Sequence, residues 1–414
     1  MEKILNLIKK IIPYSVFNFF QPTYHYLMAF LAAVFYRFPS RKMIIIGITG
    51  TKGKSSTVYF LSKIFELAGY KTAALSSIQF KIADKVWANE SKMTMPGRFQ
   101  IQKFLADARK AGCRFVIIET TSQGVVQSRH RFINFDSAVF TNLAPEHIES
   151  HGSFENYKQA KLKFFKYVRN NHIINKDDKY FGEFWNIPAK NKITYSLGDV
   201  NGLKLQIAGD FNLNNAAAAI KIAEIYGIKN NVAKKILSEI KFIPGRMEFI
   251  DSPAGRGQDF KIIIDYAHTP DSLEKVYKNC KNFSKKLICV LGSAGGGRDK
   301  WKRPEMGKIA AQYCDEIILT NEDPYDENPF QILDNIESGF SQISNSKFLI
   351  SKNYWKIIDR KEAIKKALSV AKKDDIVILT GKGSESSMCV ENGKKIQWNE
   401  KEVVEEIVRK SQLL

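Results

Sequence analysis

Cysteine is scarce in this chain. Its five cysteines (Cys113, Cys280, Cys289, Cys314, Cys389) lie far apart, and no Cys-x-x-Cys occurs. That spacing excludes a zinc ribbon and a disulfide framework, and it fits a reducing cytoplasm. The sequence also lacks an apolar run of about 20 residues, the length a membrane-spanning helix needs. No small-residue cleavage pattern follows the apolar stretch near the start, which argues against a cleaved signal peptide. There is no internal repeat and no low-complexity tract. Acidic residues are outnumbered, 43 against 63 basic, for a net charge of +20. Such a balance suggests an anionic partner, whether nucleotide, nucleic acid, acidic peptide or membrane surface. The lysines are scattered rather than gathered in one run, so no nucleic-acid partner is expected.

What is present suffices for two or three packed domains in 414 residues, 44% of them hydrophobic. The most informative stretch is Met43 to Thr57. The apolar run Met43-Ile44-Ile45-Ile46 reads as a buried parallel strand, because it is short, β-branched and without alternation. Gly47-Ile48-Thr49-Gly50-Thr51-Lys52-Gly53 follows, and Lys54-Ser55-Ser56 opens a helical pattern. Glycines let backbone N–H groups curl around an anion, and the helix N-terminus adds partial positive charge. Gly50, Thr51, Lys52, Gly53 and Ser56 would line the phosphates, Lys54 would reach the β- and γ-phosphates, and the Ser55 hydroxyl would ligate Mg²⁺. The eight-residue phosphate-loop template asks for glycine at Ile48, and the chain has none. The competing reading is a strand-to-helix turn that binds nothing. The order strand, turn, lysine, helix favours the phosphate site.

From Met43 onward, apolar runs alternate with helical patterns, which predicts an α/β fold with parallel sheets. Phe115–Ile118 ends at Glu119, Ala138–Phe140 at Thr141-Asn142, Lys261–Ile264 at Asp265, Leu287–Leu291 at Gly292, Glu316–Leu319 at Thr320-Asn321, and Asp375–Leu379 at Thr380-Gly381. Gly69 and Gly112 close the helical patterns Val58–Ala68 and Gln100–Ala111. Polar groups at strand ends point to ligand binding beyond the carboxyl edges of both sheets. The expected division is a short apolar and basic helical segment over 1–42, a central ATP-binding domain over 43–243 and a C-terminal domain over 244–414.

The first segment is unlike the rest. Ile4, Leu7, Ile8, Ile11 and Ile12 recur at helical spacing beside Lys3, Lys9 and Lys10, Pro13 and Pro22 interrupt, and Tyr24 to Phe38 is almost wholly apolar. A pair of helices packed on the next domain is one reading. The other is contact with a membrane surface.

Other polar groups have two readings each. Glu119 at a strand end suits Mg²⁺, or it caps a helix. His147 and His151 share a loop after a strand, and spacing does not choose between metal and substrate contact. Lys161 on a helix would by default face solvent. Asn212 and Asn215 open a helix, where they read a base edge or serve as caps.

Together these stretches resemble the Mur ligases, ATP-dependent amide-forming enzymes of peptidoglycan synthesis, and most of all the branch that adds the third residue to a muramoyl dipeptide. The likeness rests on Thr49–Ser55, Glu119-Thr120-Thr121-Ser122, Thr141–His147 with His151-Gly152, Tyr157–Lys161, Phe211–Asn215, Gly245-Arg246-Met247-Glu248, Asp265–Asp271, Gly296–Lys300 and Gly381-Lys382-Gly383. It implies a phosphate-loop domain followed by a Rossmann-like domain, with ATP and two Mg²⁺ ions as cofactors. Lys54 and Ser55 would hold phosphate and the first Mg²⁺, and Glu119 and His147 the second. Lys161 would be carbamylated. Asn142, Asn212 and Asn215 would lie near the nucleotide, and Arg246, Asp265 and His268 near ribose and phosphates. Thr94, Pro96 and Ser122 would face a muramoyl-peptide acceptor, and Arg298, Asp323 and Glu385 the incoming amino acid. The implied protein is a cytoplasmic monomer, touching the inner membrane face through residues 1–42 if at all.

Four departures from the family pattern stand out. The N-terminal uridine-binding domain is replaced by residues 1–42, which opens the way to a lipid-linked acceptor. Thr121-Ser122-Gln123 stands for Ser-Ser-His, Glu322-Asp323-Pro324-Tyr325 for Asp-Asn-Pro-Arg, and Gly383-Ser384-Glu385 for Gly-His-Glu. The third departure leaves diaminopimelate, lysine and other amines open. Folylpolyglutamate, cyanophycin-type and lipid-linked ligases are the alternatives within the superfamily. A non-catalytic nucleotide-binding scaffold at the membrane is the alternative outside it.

Overall fold

The computed structural model describes residues 14–89, 93–207, 209–250, 259–342 and 353–412. The apolar residues at helical spacing from Ile4 to Ile12, with their lysines, lie outside them. The chain forms two compact units, one of residues 1–145, 154–202 and 214–237, the other of residues 146–153, 203–213 and 238–414.

The first unit is built on an eight-stranded sheet of β1 (Ile44–Thr49), β2 (Thr72–Leu75), β3 (Gln79–Ile82), β4 (Lys85–Ala88), β5 (Phe115–Glu119), β6 (Phe135–Phe140), β7 (Asn171–Asn175) and β8 (Asn191–Tyr195). Their order is β4-β3-β2-β5-β1-β6-β7-β8. All neighbours are parallel except β2–β3 and β3–β4, which form an antiparallel edge. β1 sits between β5 and β6, where the order of strands reverses, so its carboxyl end is the crevice in which such sheets bind ligands. Its β-branched side chains are buried on both faces, as a central parallel strand requires. Helices Lys54–Leu67, Arg98–Lys110 and Phe154–Tyr167 bury Phe60, Phe65, Phe104, Phe164 and Phe165.

The second unit carries β9 (Glu248–Ile250), β10 (Lys261–Asp265), β11 (Leu287–Leu291), β12 (Glu316–Leu319), β13 (Asn353–Lys356) and β14 (Ile376–Thr380) in the order β13-β12-β11-β14-β10-β9, parallel except β9 against β10. Core clusters line both faces of this sheet, one around Tyr277, Leu291 and Met306, the other around Ile262, Val377 and Trp398.

One expectation needs correction. Pro22 does not interrupt: it lies inside one 22-residue helix, Tyr14–Phe35. Proline costs one backbone hydrogen bond, and the strong helix formers after it, Leu27, Met28, Ala29, Leu31, Ala32 and Ala33, carry the helix through. The cysteines form no disulfide framework, but their spacing hides one bonded pair. Cys289 on β11 is bonded to Cys314 just before β12, with Cα atoms 6.1 Å apart. One crossover returns the chain to the neighbouring parallel strand, so residues 25 apart in sequence meet across the sheet. Cys113, Cys280 and Cys389 are free and buried.

Candidate active site

In the first unit the turn after β1 is held from several sides. The Thr51 N–H donates to the Asn142 carbonyl at 2.8 Å, and the Lys52 N–H to Asn142 Oδ1 at 2.9 Å. Asn142 Nδ2 returns a bond to the Lys52 carbonyl at 3.0 Å, and Thr51 Oγ1 lies 3.0 Å from the Tyr157 hydroxyl. Gly50 packs so closely that a Cβ there would come within 1.9 Å of Thr141 Oγ1. Gly53, at φ 81°, would bring one within 2.1 Å of Asn215 Oδ1. Both positions need glycine, for space and for backbone conformation. Ile48 needs none, because it is still a strand residue paired with Glu119 of β5 and Val139 of β6. The turn begins two residues later than the template places it.

Sequence-predicted residues converge at this edge. Ser55 Oγ donates to Glu119 Oε2 at 2.8 Å, and Lys54 Nζ lies 3.9 Å from Glu119 Oε1 while donating to the Thr51 carbonyl at 2.9 Å. Lys161, 1% exposed, donates to the Gly50 carbonyl at 2.7 Å, its Nζ 4.4 Å from the Tyr157 ring centre. Asn215 and Ser56 are buried beside the turn. Ser77, which the sequence reading missed, joins the cluster: its N–H donates to Glu119 Oε2 at 2.9 Å, and its hydroxyl lies 2.7 Å from that of Ser55. The signal was there, since Ser76-Ser77 follows the run Thr72–Leu75 as polar residues follow the other strands.

The oxygens of this cluster suit Mg²⁺. That ion takes near-octahedral oxygen ligands, with adjacent ligands about 2.9 Å apart, and draws on one or two carboxylates plus substrate phosphates. Ser55 Oγ and Glu119 Oε2 have the spacing of two adjacent ligands. No group of three or more His, Cys, Asp or Glu among the described residues could hold a metal, so hydroxyl and phosphate oxygens would complete the shell.

Thr94 and Pro96 flank Met95, which is buried against Gly124 and whose carbonyl accepts from the Arg129 guanidinium. Ser122 opens the short helix Ser122–Val126, capped by Thr121 accepting the Gly124 N–H at 3.1 Å.

His147 belongs to the second unit, with Glu146. It has φ 57°, a left-handed conformation that a non-glycine residue keeps only when its surroundings enforce it. Asp299 enforces it here, accepting the N–H groups of His147 at 3.0 Å and Glu149 at 3.1 Å. Glu146 Oε1 lies 3.9 Å from His147 Nε2 and 3.7 Å from His268 Nε2. Neither Asp299 nor Glu146 was singled out from the sequence. Asp265 accepts the Met247 and Ala267 N–H groups, each at 2.7 Å, and so ties the Gly245–Glu248 turn to the end of β10. The Arg246 guanidinium lies over the Tyr266 ring at 4.3 Å. Asn212 is buried in the first turn of the helix Asp210–Ile225.

Two of the residues expected near the amine, Asp323 and Glu385, join the buried Lys382 in a charge network at the ends of β12 and β14, while Arg298 is exposed. Lys382 Nζ donates to Asp323 Oδ1 at 3.0 Å and Glu385 Oε2 at 2.7 Å, while the Tyr266 hydroxyl donates to Glu385 Oε1 at 3.2 Å. Arg298 lies beside the Tyr325 phenol. Burial pushes the Glu322 carboxyl up, against the pull of Lys302 and Lys382.

With this geometry in hand, relatives identify the chain. Residues 48–202 match the Mur ligase middle domain and residues 245–383 the Mur ligase glutamate ligase domain. The UDP-N-acetylmuramoyl-L-alanyl-D-glutamate–2,6-diaminopimelate ligase 1 of Clostridium acetobutylicum is 36% identical over 408 residues, 92% of this chain and 81% of that protein. The corresponding ligase of Fusobacterium nucleatum is 37% identical over 413 residues, again 92% and 81%. A solved structure of a UDP-N-acetylmuramoyl-L-alanyl-D-glutamate–2,6-diaminopimelate ligase, 29% identical, covers 89% of this chain and 79% of its own, with a TM-score of 0.56. The chain belongs to the Mur ligase family.

Proposed function

We propose that this protein is an ATP-dependent acid–amino-acid ligase that extends a muramoyl-peptide-type acceptor by one amino acid in peptidoglycan precursor synthesis. The observation that carries the reading is the convergence of Lys54, Ser55 and Glu119 on a glycine turn at the switch point of the first sheet, in a chain so similar to such ligases.

ATP supplies the phosphoryl group that activates the acceptor carboxylate as an acyl phosphate, and Mg²⁺ offsets the repulsion where two anions meet. The chain's own residues prepare for this. The N–H groups of the turn and the amino end of the helix Lys54–Leu67 cradle phosphate oxygens, and Lys54 adds a point charge. Ser55 and Glu119, with Ser77 beside them, would hold metal, and His147 is the further ligand of this reading. Asn142, Asn212 and Asn215 position the nucleotide, joined by Arg246, Asp265 and His268. Thr94, Pro96 and Ser122 orient the acceptor. Arg298, Asp323 and Glu385 orient the amino acid so that its amine meets the acyl carbon and phosphate leaves.

Lys161 is carbamylated in this reading. CO₂ adds to its unprotonated amine, forming an N–C bond and releasing one proton, and a buried cation becomes an anion able to support the metal site. The chain acts as a monomer, with boundaries near residues 43 and 244, in the cytoplasm and at the membrane face touched through residues 1–42. Among the described residues no helix is long and apolar enough to cross a membrane.

ADP release tests the function. It should require ATP, acceptor and amine together, and mass spectrometry of the products from an amino-acid panel identifies the amine. ADP release that ignores acceptor and amine would overturn the reading.

A further inference from the structure

The edge of the first sheet opposite the glycine turn holds a cavity of about 540 Å³. It opens where β1 and β6 begin, and β1 is long enough to set it about 20 Å from the phosphate turn. Arg41, Arg131, Lys163, Lys166 and Arg169 line it, and no carboxylate does. The nearest acid in sequence, Asp136, is taken by Asn170, Asn171 and the Tyr226 hydroxyl. None of the five cations forms an ion pair with a described carboxylate. Five like charges around one void repel one another, and an anion would relieve that.

The helix Tyr14–Phe35 borders this cavity. Phe132, in the left-handed region at φ 60°, lines the cavity and presses its ring against Tyr26 at 5.0 Å and Phe30 at 5.3 Å. The Arg131 guanidinium lies between Tyr26 at 5.9 Å and Tyr167 at 5.2 Å. The helix carries no Asp, Glu, Lys or Arg. It buries the small stripe Ala29, Ala32 and Ala33 and exposes Tyr24, Leu27, Leu31, Val34 and Phe35, the last at 71%. An exposed apolar face this continuous marks an interaction surface.

We propose that this helix face and the basic cavity together form a dock for a bilayer rich in anionic lipid. Apolar and aromatic side chains enter the boundary of headgroups and acyl chains, and the cavity takes the phosphate of a headgroup. Charge complementarity selects this occupant: an apolar partner alone leaves the five cations unmatched, and a soluble phosphate leaves the helix face in water. The inference deepens the membrane contact proposed above and is independent of the ligase chemistry.

Flotation of the full chain with phosphatidylcholine vesicles, with and without phosphatidylglycerol, tests it. Wild type should float only with the anionic vesicles, and less at high salt. Arg131→Gln/Lys163→Gln/Lys166→Gln/Arg169→Gln should lower partitioning on the order of 1000-fold, and Lys163→Gln/Lys166→Gln, confined to two exposed helix positions, about 30-fold. Leu27→Ser/Leu31→Ser should weaken it as well. ADP release in solution should be unchanged in all three, so failure of the dock and failure of the ligase reading are distinguishable. Equal flotation with neutral vesicles, full binding by the lysine variant, phosphate binding without flotation, or a dimer that Leu27→Ser/Leu31→Ser dissolves would each overturn the proposal.

Discussion

Single side chains decide whether charge can be held at the phosphate turn. Glu119 gathers Ser55, Ser77 and, at longer range, Lys54 on its two oxygens. Glu119→Gln keeps the shape and loses the anion, so Mg²⁺ activation of ADP release should need much higher metal, with activity down on the order of 100-fold at fixed Mg²⁺. Lys161→Ala should be inactive and partly restored by added short carboxylates, which stand in for the carbamate; no rescue would count against carbamylation. His130 is a purely structural matter. It is buried between Phe164 and Tyr167, both ring nitrogens lack a hydrogen-bond partner, and burial holds its pKa down to about 3 from 6.5. The unfolded chain therefore binds the extra proton first. The stability that a neutral His130 provides is present above pH 6.5 and is lost as pH falls toward 3. About 2 kcal/mol should go between about pH 7.5 and 5. Urea melts of wild type and His130→Phe should differ in pH slope by that amount, and parallel slopes would contradict it.

At the scale of elements, strand ends carry the chemistry and need support from behind. Arg360, fully buried, pairs through Nε with both oxygens of Glu400 and donates to the carbonyls of Asn321 at 3.1 Å and Thr380 at 2.8 Å. It thus ties the ends of β12 and β14 on which Asp323 and Lys382 depend. Arg360→Ala leaves a buried carboxylate unmatched and should cost about 3–5 kcal/mol in denaturant unfolding. Gly53→Ala should abolish nucleotide binding while leaving the sheet intact, because its Cβ meets Asn215 and its φ is left-handed. Much of this level was legible in the sequence. Leu287–Leu291 and Glu316–Leu319 are strands with the limits their apolar runs have, and Gly69 and Gly112 follow the helices they were expected to close. The antiparallel edge β3–β4 was not legible, because Gln79, Lys81, Asp84 and Lys85 break any apolar run on strands that lie partly or fully exposed. The Cys289–Cys314 bond was hidden because only strand pairing brings those residues together.

For the molecule as a whole, the chain pattern told the family and most of the candidate site, since phosphate binding imposes order and spacing on contiguous residues. What it did not tell is set by surfaces assembled from distant segments. The basic cavity draws on residues near 41, 131 and 166, and Ser77 reaches Glu119 from another strand. The central claim is that a carboxylate is activated on ATP at the Lys54 turn. The most direct measurement is ADP release by the full chain with ATP, Mg²⁺, muramoyl-dipeptide acceptor and amino acid, in wild type and Lys54→Ala. Release that needs both acceptor and amine, and falls on the order of 1000-fold or more in Lys54→Ala, is the result the account predicts; turnover that survives Lys54→Ala intact would contradict it.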